Sequence, residues 1–309
     1  FIIIIMSIFI LIEKILHYPS KIGPLSKNII IEIPKYSSLS NIASIIEAKG
    51  IIENKYYFII QAYFNGKAKL LKAGEYSFSK NISQNDVLIK LYENDVKLYK
   101  LVIPECYSNK QIFEIIKKSL YIPTIQSGYS EGAFFPSTYF FSKDTSVDKL
   151  LGIMYNEANT KFSKLYNQYK DNISDVLNQS EVLVLASIIE AEARKVEEQN
   201  KIAGVFVNRL RKGMKLQSDP TVIYGINKTV HLGRSLKKSD LLLSHEWNTY
   251  RIHGLPPTPI CNVGINAFRA ALNPEKSSNL YFVADGKGGH IFSETYEEHK
   301  KNIKMIFKK

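Results

Sequence analysis

Two carboxylates carry the clearest chemical signal in the chain. Glu190 and Glu192 close the apolar part of the segment EVLVLASIIEAEARKVEEQNK, residues 181–201. Val182 to Ile189 is apolar apart from Ser187, on every side of a helix, so this helix starts deep in a core. A carboxylate one turn from such a run is costly to bury as an anion. Desolvation raises its pKa, and a carboxyl that stays neutral near pH 7 is what a general acid requires. On a helical wheel Glu190 and Glu192 fall on opposite flanks of the Ala186, Ile189, Ala193 stripe, so the wheel does not choose between them. The competing reading makes both of them rim carboxylates paired with Arg194 or Lys195, and structural ion pairs are the commoner case.

Three further stretches gather polar or aromatic groups. Gln217, Ser218, Asp219, Pro220 and Thr221 crowd a turn that leads to Tyr224. They are either hydrogen-bonding groups for a polar ligand such as a sugar, or the start of a short helix with Pro in its first turn. Asn248, Thr249 and Tyr250 precede a rigid Gly-Leu-Pro-Pro run, beside Trp247, the only tryptophan. The loop EGAFFPSTYFF, from Glu131 to Phe141, is too aromatic to stand free in solvent and is either a folded-in core loop or a cleft wall. LYFVADGKGGHIF (280–292) joins two apolar strands through glycines. A phosphate loop runs from strand into helix, so this is a hairpin. No HxxxH, HExxH or CxxC pattern occurs, and neither a metal nor an organic cofactor is expected.

The elements that must position these groups follow from periodicity. Ile33, Pro34, Ser38, Ile42, Ile45 and Ile46 recur seventy residues later as Ile103, Pro104, Ser108, Ile112, Ile115 and Ile116. Each copy predicts a strand (Ile29 to Ile33; Leu98 to Ile103), a Pro turn and a helix opening at Ser. Ser108 with Gln111 is a capping-box pair. Helices at Asn54 to Phe64 and Ser83 to Tyr92 and a strand around Tyr76 and Phe78 fill the interval. Ile202, Val205, Phe206 and Leu210 predict a helix stopped at Gly213. The expected fold class is α+β, with a small α+β module at 28–96 and a larger α+β domain at 97–309.

Residues 1–12, FIIIIMSIFILI, carry no charge. They are shorter than the roughly 20 residues of a spanning helix, but the chain starts at Phe and no small-x-small cleavage site follows. A single membrane anchor over 1–18, truncated at its start, is the expectation. The 309 residues hold 41 basic and 29 acidic side chains, a formal charge of +12, with 45% hydrophobic and 23% charged. These values exclude wholesale disorder and a multi-span membrane protein. Only six of the bases are Arg, and no stretch interleaves them with aromatics in the manner of a base-stacking platform. The excess reads as a Lys/Ile/Asn coding bias, and nucleic acid is not an expected partner. Cys106 and Cys261 are the only cysteines; one long-range disulfide and two free thiols are both open.

Taken together, IIEAEA (188–193), IAGVFVNRL (202–210), LQSDPTVIYG (216–225), NTY (248–250), GLPP (254–257) and LYFVADGKGGHIF (280–292) resemble the endolytic murein transglycosylase, or YceG-like, family. The resemblance runs in order over residues 28–309. It implies a single-pass inner-membrane protein with its body on the periplasmic or outer side, a LysM-like module before the catalytic domain, and peptidoglycan synthases as partners. It also implies that Glu190 is the catalytic acid, with Glu131, Gln217, Ser218, Asp219, Tyr224, Asn248 and Tyr250 as candidates for holding the substrate. The chain departs from the family at Tyr36 and Cys106, where Gly is usual after the Ile-Pro strand end, at Ser137 for Asp, and at Thr258 for Gly.

The implied reaction is lytic cleavage of the β-1,4 bond between N-acetylmuramic acid and N-acetylglucosamine within glycan strands. One carboxyl suffices for it. A muramidase-type hydrolase needs a second carboxylate about 5 or about 6.5–9.5 Å away, and Asp219 is the evident candidate in the sequence. A noncatalytic glycan-binding protein is the other alternative.

Overall fold

A computed structural model describes residues 18–120, 124–125, 127–193 and 195–307. The expected anchor at 1–18 lies outside them but for its last residue. Among the described residues no helix is long and apolar enough to cross a membrane. The chain divides into two compact units, one running up to Lys100 and including Phe140–Thr145, the other comprising Leu101–Tyr139 and the chain from Ser146 onward.

In the first unit β1 (Ile29–Ile33) pairs antiparallel with β2 (Gly74–Phe78), Ile31 opposite Tyr76. Alternation puts Ile31, Ile33, Tyr76 and Phe78 on the buried face and Glu32 and Glu75 on the other. Three helices cover that face: α1 (Leu39–Ala48), α2 (Lys55–Phe64) and α3 (Gln84–Glu93). Each starts at a side chain that accepts from its own first turn, Ser38 from the Asn41 N–H, Asn54 from Tyr56 and Tyr57, Ser83 from Asp86. Such a cap is worth about 1 kcal/mol. Ile42, Ile46, Phe58, Val87, Leu88 and Leu91 complete a separate core.

The second unit begins within β3 (Tyr99–Val102), which pairs with β4 (Thr138–Phe141). Then α4 (Asn109–Leu120) opens at the predicted box: the Ser108 N–H donates to Gln111 Oε1 at 3.0 Å and the Gln111 N–H returns to Ser108 Oγ. The turn before each Ser is also repeated. Tyr36 has φ 64° and Cys106 φ 55°, which is why Gly is at home at both positions.

Helix α5 (Val147–Tyr169) leads to α6 (Gln179–Glu192), started by an Asn178/Glu181 capping box. Val182 and Val184 to Ile189 are buried. Around them pack α7 (Val196–Arg211) and, after α8 (Asp219–Asn227) and the short α9 (Lys238–Leu241), α10 (Ile265–Leu272). α7 stops at Gly213, whose φ is 65°. β5 (Tyr281–Ala284) and β6 (His290–Ser293) form the expected hairpin, Phe282 opposite Phe292, and α11 (Tyr296–Phe307) follows.

Candidate active site

The last turn of α6 carries both carboxyls, and they face different surroundings. Glu190 Oε2 accepts from the Gly264 N–H at 2.9 Å, and the Gln199 amide nitrogen lies 3.5 Å from its Oε1. Gln199 is only 2% exposed, and its Oε1 has no partner among the described residues. Burial pushes Glu190 up to about 7; the Gly264 N–H opposes that, and the charge of Glu105 adds to it. The helix end works in the same direction, because the negative pole of the macrodipole disfavours an anion there. Glu190 is half-buried, so a ligand can reach a carboxyl that keeps its proton up to near pH 7.

Glu192 is raised to about 7 as well, first by burial and then by Asp219, against the pull of the Ser218 hydroxyl. Ser218 Oγ donates to Glu192 Oε1 at 2.6 Å. The titration positions alone therefore do not separate the pair. Their partners do: Glu192 is tied to a side chain of the 217–219 turn, whereas Glu190 is held by one backbone N–H. Arg194 lies outside the described residues. Neither carboxylate forms an ion pair among those described.

One polar residue places the Gly264 N–H. Ser187, the exception in the apolar run, is fully buried; its Oγ donates to Val184 O at 2.7 Å and accepts from the Ile260 N–H at 3.0 Å. That bolts residues 260–264 alongside α6. A disulfide joins Cys106 to Cys261, with Cα atoms 4.8 Å apart, which decides between the two states open from sequence. The Cys106 N–H donates to Asn262 O and the Asn262 N–H to Tyr107 O, both at 2.9 Å. The turn at 104–107 is thereby fastened to the segment that ends at Gly264.

The remaining candidates divide. Ser218 precedes α8 and Asp219 opens it with Pro220 next, so the helix-start reading of this turn is correct. Gln217 is exposed, with φ 50°, its N–H donating to Thr249 O at 3.1 Å. A non-Gly residue in that conformation stores strain of order 1–3 kcal/mol, a recurrent trait of ligand sites. Tyr250 Oη donates to Asp219 Oδ1 at 2.7 Å. Gln217, Ser218, Asp219 and Tyr250 thus stand together on the Glu192 flank. Asp219, the candidate for a second carboxylate, acts on Glu192, and the carboxylate that acts on Glu190 is Glu105.

Asn248 is fully buried. Its amide donates to Leu241 O and Leu243 O, and its Oδ1 accepts from the Tyr250 N–H. These bonds shape the loop. Glu131 takes N–H bonds from Asn109 and Gly132, the Tyr224 hydroxyl at 3.0 Å and the Asn262 amide at 3.3 Å. Burial still raises its pKa. Glu131 and Tyr224 therefore knot four segments together, at 109, 131–132, 224 and 262. The aromatic loop is a core loop: Phe134, Phe135 and Tyr139 are buried. Thr258, where Gly is usual, accepts from Trp247 Nε1 at 3.0 Å. Glu105, Gln199, Gly264 and Ser187 were not singled out from sequence; only Ser187 left a signal there, as the break in the apolar run.

The YceG-like family model matches residues 31–305. This chain belongs to the YceG-like family. The YceG-like chain is 32% identical over 304 residues to the endolytic murein transglycosylase of Bacillus subtilis, covering 88% of its own length and 82% of that protein. It is 28% identical to the endolytic murein transglycosylase of Streptococcus pneumoniae, over 90% of itself and 58% of that longer protein. A crystal structure of a putative YceG-like protein from Listeria monocytogenes matches with a TM-score of 0.57 and 32% identity, over 89% of this chain and 98% of that one.

Proposed function

We propose that this YceG-like chain is an endolytic peptidoglycan lytic transglycosylase, a lyase that cuts the β-1,4 bond between N-acetylmuramic acid and N-acetylglucosamine inside glycan strands. The observation that carries the reading is a reachable carboxyl, Glu190, whose pKa is raised to about 7 at the end of a buried helix. As acid, Glu190 gives its proton to the glycosidic oxygen as the bond to C1 breaks. As base, the same carboxylate then takes the proton of the muramoyl 6-hydroxyl, whose oxygen bonds to C1 and closes a 1,6-anhydro ring. No water is consumed, and a carboxyl poised near neutrality serves both steps. Gln217, Ser218, Asp219 and Tyr250 line the approach to the saccharide; Glu131, Tyr224 and Asn248 hold the loops that carry them.

The finer parts of the reading rest on sequence. The uncharged run at 1–12 anchors the protein in the cytoplasmic membrane with its body outside. Residues 28–96 act as a LysM-like glycan-binding module, residues 97–309 form the catalytic domain, and peptidoglycan synthases supply the nascent strands.

The test is Glu190→Gln assayed on purified peptidoglycan. General acid–base assistance is worth about 10²–10⁴-fold, so release of 1,6-anhydro ends falls at least 100-fold in a normally folded protein, while Glu192→Gln loses much less. Products heavier by one water would mark a muramidase instead, and undiminished activity in Glu190→Gln would sink the assignment.

A further inference from the structure

Glu105 is a carboxylate that the proposed reaction has not used. It lies in the turn of the second strand–Pro–helix repeat, where the first repeat has Lys35. Its side chain is exposed and forms no hydrogen bond or ion pair among the described residues.

What it does touch is Gly264. A Cβ at Gly264 would stand 1.9 Å from Glu105 Oε1 and 2.5 Å from its Cδ, so the carboxyl occupies the space that any other residue would fill. The N–H of the same Gly264 holds Glu190 Oε2 at 2.9 Å. One glycine therefore separates two carboxyls, and standard backbone dimensions put their nearest oxygens within roughly 7 Å of each other. The approach is built in. The Cys106–Cys261 bond and the two Cys106–Asn262–Tyr107 backbone bonds fix the Glu105 turn against the segment that ends at Gly264.

We infer that Glu105 is a positioning residue of this site, whose fixed negative charge keeps the proton on Glu190 until the glycosidic oxygen takes it. The inference rests on Glu190 being the acid. The other side chain placed against Glu190 is the neutral amide of Gln199 on α7, and the N–H of Gly264 is the only donor within 3 Å among the described residues. Glu192 is turned to the opposite flank, towards Ser218 and Asp219. The negative charge that reaches Glu190 is thus that of Glu105. A developing positive charge on the sugar ring would also lie in its field.

The experiment is the pH dependence of kcat on purified peptidoglycan for the full chain and for Glu105→Gln, Glu105→Asp and Gly264→Ala. Coulomb's law across roughly 6 Å at effective dielectric constants of 80 to 20 predicts an alkaline limb lower by about 0.5–2 pH units in Glu105→Gln. The shift shrinks as salt is added, because Glu105 is exposed. Glu105→Asp keeps the charge and restores most of the limb. Gly264→Ala keeps the N–H but evicts the Glu105 carboxyl, so it moves the limb in the same direction. A Glu105→Gln profile that overlays the parent, or a change confined to KM, overturns the inference even with Glu190→Gln inactive. Retained activity in Glu190→Gln would instead remove the reading on which it rests.

Discussion

Opening the Cys106–Cys261 bond removes a covalent closure across 155 residues of chain. The loop-entropy model gives about 5 kcal/mol for a loop that long, and loss of a native disulfide typically costs about 2–5 kcal/mol. A second contribution has the opposite sign. Cys106 sits at φ 55°, a conformation that costs an L-residue about 1–2 kcal/mol and a glycine almost nothing. Two double variants separate the effects. Cys106→Ala with Cys261→Ala loses the link and keeps the strain. Cys106→Gly with Cys261→Ala loses both, and should recover about 1 kcal/mol of the deficit. At about 2–4 °C per kcal/mol for a unit of this size, the first variant melts about 4–20 °C below the parent and the second about 2–4 °C above the first. Scanning calorimetry without reductant reads both differences. A parent and an Ala/Ala variant with the same Tm would refute the loop argument; Gly/Ala no better than Ala/Ala would refute the strain argument.

Ser187→Ala leaves the buried Ile260 N–H without an acceptor, which costs about 1–3 kcal/mol. Chemical denaturation should show that loss with an unchanged m-value, and kcat should fall with it, because Gly264 is no longer fixed beside Glu190. Glu190 and Glu192 are raised from 4.5 to about 7 in the folded protein. Between those values the native state binds more protons than the unfolded chain, so their contribution to stability is full below about pH 4.5 and is lost as pH rises through about 7. Glu190→Gln should accordingly match the parent at pH 4 and exceed it by about 1–3 kcal/mol at pH 8, read from melts across the range. A variant that is less stable than the parent at pH 8 would show that the folded site favours the anion.

Local signals carried most of the fold. Ser38, Asn54, Ser83 and Ser108 sit one residue before helices because a side-chain oxygen must satisfy N–H groups that the helix cannot, and that requirement is written in three or four adjacent residues. The all-round apolar run from Val182 to Ile189 announced a buried helix for the same reason. The site was legible only as far as its own helix. That Glu192 looks to Ser218, and Glu190 to Gly264, depends on pairings across 26 and 74 residues, and no periodicity encodes them. Asn248 and Glu131 have the residue types of ligand-binding groups, yet their polar atoms are taken up by backbone and neighbouring side chains. Composition cannot distinguish a hydrogen bond made to a loop from one made to a sugar.

Two carboxyls near pH 7 on one helical turn also mean that no single form of this protein exists at neutrality. Both are raised to about 7, so protonated and ionised forms coexist there and exchange protons with solvent. The form with a proton on Glu190 is a fraction of the whole, and the apparent titration steps belong to the pair rather than to either residue. Any turnover number measured at pH 7 is therefore an average over molecules of which only some hold the reacting proton. Acidification enlarges that competent fraction and protonates Glu192 over the same range. A wall-cutting activity built this way is graded by the local proton concentration, with no effector and no change of shape.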